Sequence, residues 1–313
     1  MIAFLLSRLT SALLVVFGVS VLVFLLIHAV PGDPVEVMLG ETSQPADREE
    51  LRRALGLDQP LPVQMAEYYR RLLDFDLGTS LYSRRPVAEI LAERFPATLE
   101  LAVAGLAVAL LLALPLGVLA AMRRGTAWDN GAMMFSMLGV SIPNFLMGPL
   151  LILVFSLWLG WLPVSGRDGW GSLVLPAITL GTALAAILSR MIRATLLEAL
   201  GEDYILTARA KGLPWYRVIL RHALRNALLP VMTLLGLQLG ALLAGTVITE
   251  IVFSWPGIGQ LTIESIHRRD YPVVQACILL IAVSYVLVNA LTDLAYGWLD
   301  PRVRLGGREG GER

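Results

Sequence analysis

Cysteine, lysine and histidine are all scarce in this chain. The single cysteine, Cys277, stands inside an apolar run, so no intrachain disulfide forms and no disulfide framework supports the fold. The only lysine, Lys211, lies between Ala210 and Gly212. A P-loop needs Gly-x-x-x-x-Gly-Lys followed by Ser or Thr, because backbone amides and the lysine together cradle phosphates, so a nucleotide site of that kind is not expected here. His28, His222 and His267 are far apart and none is paired at helical spacing, which gives no metal site. No GxSxG elbow is present. Asp293 is the one aspartate well inside an apolar run, which speaks against membrane proteolysis by paired aspartates. Net charge is zero, so nothing in the overall balance calls for nucleic acid.

What the chain has in abundance is apolar side chains. Of 313 residues, 56% are hydrophobic and only 16% charged, with a mean hydropathy of +0.69, too apolar for an ordinary water-soluble domain. Crossing a bilayer takes about 20 apolar residues. Six runs qualify, near 9–30, 98–121, 133–159, 173–195, 227–252 and 274–298. The first is longer than the apolar core of a signal peptide, and no small-x-small cleavage site precedes Pro31, so it is expected to be retained as a helix. The expectation is therefore an all-α, polytopic membrane protein with six transmembrane helices.

Basic residues set the orientation. Fourteen arginines and lysines fall in or beside the connections on one side, against Arg167, Arg268 and Arg269 on the other. Both termini and the loop around 202–226 are then cytoplasmic, and 31–96 is extracytoplasmic. That outer segment carries Pro60, Pro62, Gly78 and Pro86, which predict short helices and turns, and its PADREELRRALG stretch has helical spacing. On its residues alone it reads as a solvated cap, since no residue in it is chemically diagnostic. The division expected is a first transmembrane helix, 1–30; an extracytoplasmic segment, 31–96; a five-helix core, 97–305, with a cytoplasmic loop at 202–226; and a disordered tail, 306–313.

The stretch EDYILTARAKGLPWYRVILRHALRNALLP, 202–230, is basic and amphipathic. Glycine ends helices and proline starts them, so Gly212-Leu213-Pro214 predicts two short helices meeting at a corner. Arg217, Arg221 and Arg225 recur every four residues as a charged stripe. Trp215, Val218, Ile219 and His222 recur at three and four, a mainly apolar face. Such an element can meet anionic lipid or a partner's groove. Within the apolar runs, polar residues are the functional candidates: Asn144 after Pro143, Gln238 among glycines and alanines, Asn289 and Asp293 four apart, and Glu250 before the turn at Trp255 and Pro256. Interhelical hydrogen bonding is the favoured reading of Asn289 and Asp293, and the glycines around Gln238 more often mark close packing than a path.

TARAKGL followed by HALRNALLP resembles the cytoplasmic coupling loop of ABC importer permeases, in the version of the oligopeptide, dipeptide, nickel and glutathione group. The likeness continues through PGDP at 31–34, Gly-Thr-Ser at 78–80, RFPATLEL at 94–101, SIPNF at 141–145, SRMIRATLLEAL at 189–200, VITEIVFSWPGIGQL at 247–261 and RRDYPVVQ at 268–275. It implies a type I importer permease in a bacterial or archaeal inner membrane, the first of two permease subunits. Two ATP-binding cassette subunits would hold ATP and Mg, this chain holding no cofactor, and an extracytoplasmic substrate-binding protein would deliver the solute. Ala208, Ala210, Lys211, Gly212, Leu213, Trp215, Ile219 and His222 are implied as the coupling residues. The resemblance implies an outer gate region around Glu250, Trp255 and Pro256, and Asn144 and Gln238 are expected along the path as polar residues within the spans. Peptides, glutathione and nickel complexes are all cargo of this pattern. A secondary transporter driven by an ion gradient is the alternative, which midplane charge and broken helices would mark.

Overall fold

The structure is a computed structural model that describes residues 2–29, 35, 45–54 and 56–299. The PGDP stretch and the expected tail lie outside the described residues. Among the described residues every regular element is helical, with one isolated bridge between Thr79 and Pro86. In chain order they are α1 (Ile2–Ala29), α2 (Pro45–Ala54), α3 (Leu61–Leu73), α4 (Val87–Met122), α5 (Ala127–Ser141) and α6 (Asn144–Leu151), the last widening into a π-helix at Ile152–Trp158. Then follow α7 (Trp170–Leu200), α8 (Asp203–Ala210), α9 (Trp215–Arg217), a second π-helical stretch at Val218–Ala223, α10 (Leu224–Val252), α11 (Ile258–His267) and α12 (Tyr271–Leu299).

The described parts of the six apolar runs are helical except for a break at 142–143, and among the described residues the count of six crossings is not fully confirmed. Four continuous helices are long and apolar enough, and a fifth if α5 and the α6 helix form one span bent by 107°. Hydropathy registers 133–159 as one run. Proline disfavours the helical region for the residue before it, and Ile142 before Pro143 is extended (φ −93°, ψ 112°), so the chain turns there. In α1 the apolar stretch is the shorter Thr10–Leu25.

The chain divides into two units, 1–98 with 256–286, and 99–255 with 287–313. In the first, α3 lies along α1: Ser20 Oγ is 2.8 Å from Tyr69 Oη, Gln64 is hydrogen-bonded to His28 Nε2 at 3.1 Å, and Phe17 meets Tyr69 ring to ring. Its apolar core gathers Val87 and Leu91 of α4, Ile258 and Leu261 of α11, and Val273, Ala276 and Cys277 of α12. Thr98 Oγ1 accepts from the Ile258 amide at 2.8 Å, satisfying one free donor at the start of α11.

In the second unit α7 is the most buried long helix. Its neighbours approach through glycine: a Cβ placed on Gly181 would sit 2.6 Å from the Gly105 carbonyl oxygen, on Gly117 2.7 Å from Ile192 Cβ, and on Gly139 2.8 Å from Ala186 Cβ. Such contacts bring backbones close where hydrocarbon offers little other drive for association. One polar clamp joins them. Arg193 on α7 donates from both Nε (2.6 Å) and a terminal nitrogen (2.8 Å) to Asp129 on α5, which also accepts from the Gly125 amide. Asp129 is buried, so removing either partner leaves a charge without its counter-ion, at about 3–5 kcal/mol.

Candidate functional site

Gly201 stops α7, and extended Glu202 restarts the chain as α8. The corner after α8 is a Schellman cap: Gly212 N bonds the Arg209 carbonyl at 2.9 Å, and Leu213 N bonds the Ala208 carbonyl at 3.4 Å. That cap needs the left-handed backbone of Gly212 (φ +74°), where an L side chain costs about 1–2 kcal/mol. Extended Pro214 then opens α9. The two-helix corner expected from Gly212-Leu213-Pro214 is what forms.

The loop has two sides. Ile205, Ala208, Val218 and Ala223 are buried in a cluster with Ala121, Leu196, Ala199 and Ala227, and Leu213 and Tyr204 pack against it. Ends of α4, α7 and α10 thus share one apolar core with the loop. Ile219, expected as a groove-filling side chain, is only 2% exposed. Of the other expected coupling residues, Ala208 is buried and His222 half-buried, while Ala210, Lys211 and Gly212 are exposed. Trp215 is 39% exposed, with the Arg209 guanidinium 4.0 Å above its ring. Three apolar residues that spacing did not single out, Leu206, Tyr216 and Leu220, are each about three-fifths exposed. The signal for Leu206 and Leu220 was charge at helical spacing, Asp203 and Arg209 three residues either side of the first and Arg217 three before the second. At Leu220 the π-helical stretch hid it, since its wider turns move residues around the axis; Leu206 and Tyr216 precede that stretch.

The expected path residues do not form one cluster. Glu250 and Trp255 are fully buried, and the Trp255 amide bonds the Glu250 carbonyl at 2.8 Å. Arg167 ties this turn down: it donates to Glu100 at 2.6 and 2.9 Å and lies 5.8 Å over the Trp255 ring. Pro256, half-buried, opens the return of the chain to the first unit. Asn144, half-buried, is one helical turn from Gly148, which crosses α10 so closely that a Cβ there would meet Val252 Cγ1 at 2.9 Å. Asn144 and Glu250 thus flank the same α6–α10 crossing, one helical turn from Gly148 and two residues from Val252. Gln238 is twelve residues before Glu250 on α10, about 18 Å away at the rise of a helix.

The family described as "Binding-protein-dependent transport system inner membrane component" matches residues 113–305, and its N-terminal companion, "Binding-prot-dependent transport system membrane comp, N-term", matches 1–102. The chain belongs to this family of importer permeases. It is 44% identical to the glutathione transport system permease protein GsiC of Escherichia coli O6:H1, over 97% of this chain and 99% of that protein. It is 47% identical to the di/tripeptide transport system permease protein DppB of Pseudomonas aeruginosa, with the same coverage. Among solved structures, an inward-facing form of the MetNI methionine ABC transporter shares the fold, with a TM-score of 0.58 at 19% identity, covering 68% of this chain and 97% of that one. Membership makes the protein a multi-pass subunit of the inner membrane, part of a complex that works with ATPase and substrate-binding partners. A type I permease architecture and the all-α expectation agree with both findings.

Proposed function

We propose that this chain is the first of two permease subunits in an ATP-driven importer of di- and tripeptides or glutathione. Its likeness to GsiC and DppB supports that cargo class. Two ATPase subunits supply ATP and Mg, this chain hydrolyses nothing, and both termini and the loop at 202–226 face the cytoplasm, in keeping with the fourteen basic residues on that side.

One observation carries the mechanism: the loop is fused by its buried side to the ends of α4, α7 and α10, while Leu206, Trp215, Tyr216 and Leu220 stand exposed on the other. An ATPase surface that seats those side chains, with Ala210, Lys211 and Gly212 at the corner, moves the loop when the ATPase pair closes. Close packing passes the displacement into the helices, because a dense core shifts as a unit. Access then alternates between the two membrane faces, provided the ATPase binds the loop differently in the two states. Ala208 and Ile219 serve by holding the loop's shape, and Leu213 and His222 border the exposed face. Asn144 and Glu250, near the α6–α10 crossing, and Trp255 and Pro256 beyond it form the outer gate; Gln238 lies deeper on α10 along the path.

Purification of the complex from its native membrane in mild detergent tests this. ATP-hydrolysing subunits, a second permease and a binding protein carrying peptide or glutathione are the expected companions. A Gly212→Asp subunit should still enter the membrane yet lose ATP-driven uptake. Normal uptake by a stable Gly212→Asp variant, or a chain that purifies alone and responds only to an ion gradient, refutes the coupling assignment.

A further inference from the structure

A cavity of about 590 Å³ lies within the first unit, between α1, α3, the start of α12 and the turns at 56–59 and 76–81. That is the size of a small-molecule site, about 300–1,000 Å³. Its walls are fixed from several directions. Gln64 donates to the Leu57 and Gln59 carbonyls at 3.4 and 2.8 Å while its oxygen faces His28 Nε2, so one amide ties α1, α3 and the 56–59 turn together. The 78–86 turn is held by a carboxylate far away in sequence. Asp270, buried at the corner between α11 and α12, accepts from Ser80 Oγ at 2.5 Å, from the Leu81 amide at 3.0 Å and from the Tyr82 amide at 3.4 Å. This latch joins the turn to Tyr271 and Pro272, which open α12 and also line the cavity.

The cavity stands clear of the hydrocarbon. Ala276 lines it and shares an apolar core with Val87 and Leu91 at the start of α4. At 36 residues α4 is about 54 Å long, against a hydrocarbon thickness of about 30 Å. Its charges, Glu89, Glu93, Arg94 and Glu100, all precede Leu101, and 101–122 carries none. The membrane therefore meets α4 beyond Glu100, and the cavity beside Val87 and Leu91 faces water rather than acyl chains.

Two arginines, Arg53 and Arg71, and two carboxylates, Glu67 and Asp76, line the cavity, so both signs are present at no net charge. One pair of opposite charges is set side by side without being spent on itself. α3 ends in a Schellman cap in which the Asp76 amide bonds the Arg71 carbonyl at 2.9 Å and Phe75 takes the left-handed position, at φ +57°. A bulky residue held in that region is imposed by its surroundings. Arg71 gives its Nε to Glu67 at 3.0 Å, and Asp76 accepts the Gly78 amide on one oxygen at 2.8 Å. The terminal nitrogens of Arg71 and the second oxygen of Asp76 carry no bond among the described residues.

We propose that this cavity binds the zwitterion of a free amino acid or short peptide, its carboxylate on Arg71 and its ammonium on Asp76, with Phe24, Tyr68 and Tyr271 around its side chains. A ligand with one charge of each sign satisfies both groups at once, and charge-assisted bonds of this kind are the strong ones. The proposal holds whichever solute crosses the membrane.

The test measures binding of radiolabelled L-alanyl-L-alanine, without ATP, to the complex of permease and ATPase subunits in nanodiscs of phosphatidylcholine, freed of binding protein. Arg71→Gln and Asp76→Asn should each weaken binding by about tenfold or more, as loss of a charged hydrogen bond does, and Gln275→Trp should fill the cavity and abolish it. Both charged side chains are exposed, so neither variant should melt lower than the native complex. Dialanine amide, which keeps the ammonium alone, decides the assignment. Against it Arg71→Gln should cost nothing further, while Asp76→Asn still weakens binding. Absence of saturable binding, unchanged affinity in either variant, equal losses for both ligands or binding that survives Gln275→Trp overturns the proposal. So does displacement of dialanine in discs of phosphatidylethanolamine, whose headgroup also carries one charge of each sign and would assign the site to lipid. Peptide import is measured separately, with ATP and binding protein, so its failure and the failure of this site are told apart.

Discussion

The loop at 202–223 and the turn at 78–86 solve one problem with opposite chemistry. Each presents an exposed aromatic ring under an arginine, Trp215 with Arg209 and Tyr82 with Arg268. The first is anchored by an apolar cluster around Ile205, Val218 and Ala223, the second by the oxygens of Asp270. Apolar contact has no direction and tolerates small slides, which suits an element that must move with its neighbours. Hydrogen bonds to a buried carboxylate fix distance and angle, which suits a surface that must keep its shape.

Breaking the polar anchor should have the larger effect. Asp270→Ala leaves the Ser80 hydroxyl and two amides without their acceptor in a buried site, and about 3–5 kcal/mol should be lost, with amide exchange rising throughout 78–86 while 202–223 stays protected. Ile205→Ala takes a fully buried side chain out of the apolar anchor and should cost about 2–4 kcal/mol, but the loop can settle into the space. Its signature should be graded: the complex still assembles, melts lower, and transports less per ATP hydrolysed. An all-or-none loss would mean that the loop's anchor is as directional as the turn's. The smallest change should be a gain. The Tyr204 hydroxyl is buried against the apolar cluster without a hydrogen-bond partner, so Tyr204→Phe should raise the melting temperature, by about 1 kcal/mol of stability, with uptake intact.

Much of the fold is legible in the residues because apolar length and helix punctuation are local signals. The corner at Gly212-Leu213-Pro214 follows from what glycine and proline do to a backbone. Direction is less legible. Nothing in the hydropathy of 133–159 reports a turn of 107°, although Pro143 holds the reason. Which residues of the loop face out beyond Arg217 was not readable either, since spacings of three and four assume an α-helix and Val218–Ala223 is wider. The Asp270 latch joins residues 190 positions apart, and the Asp129–Arg193 clamp spans 64. Neither leaves a trace in any short window of sequence.

The glycines between α4 and α7 bear on motion. Where Gly105 faces Gly181 and Gly117 faces Ile192, one helix rests on its neighbour with little or no side chain between them. Few interlocked side chains need to disengage there, so one helix can roll over the other as on a bearing race, with most of its resistance set elsewhere. A methyl group added at Gly181 would meet the Gly105 carbonyl oxygen at 2.6 Å, so the two helices would have to part before the bearing could seat.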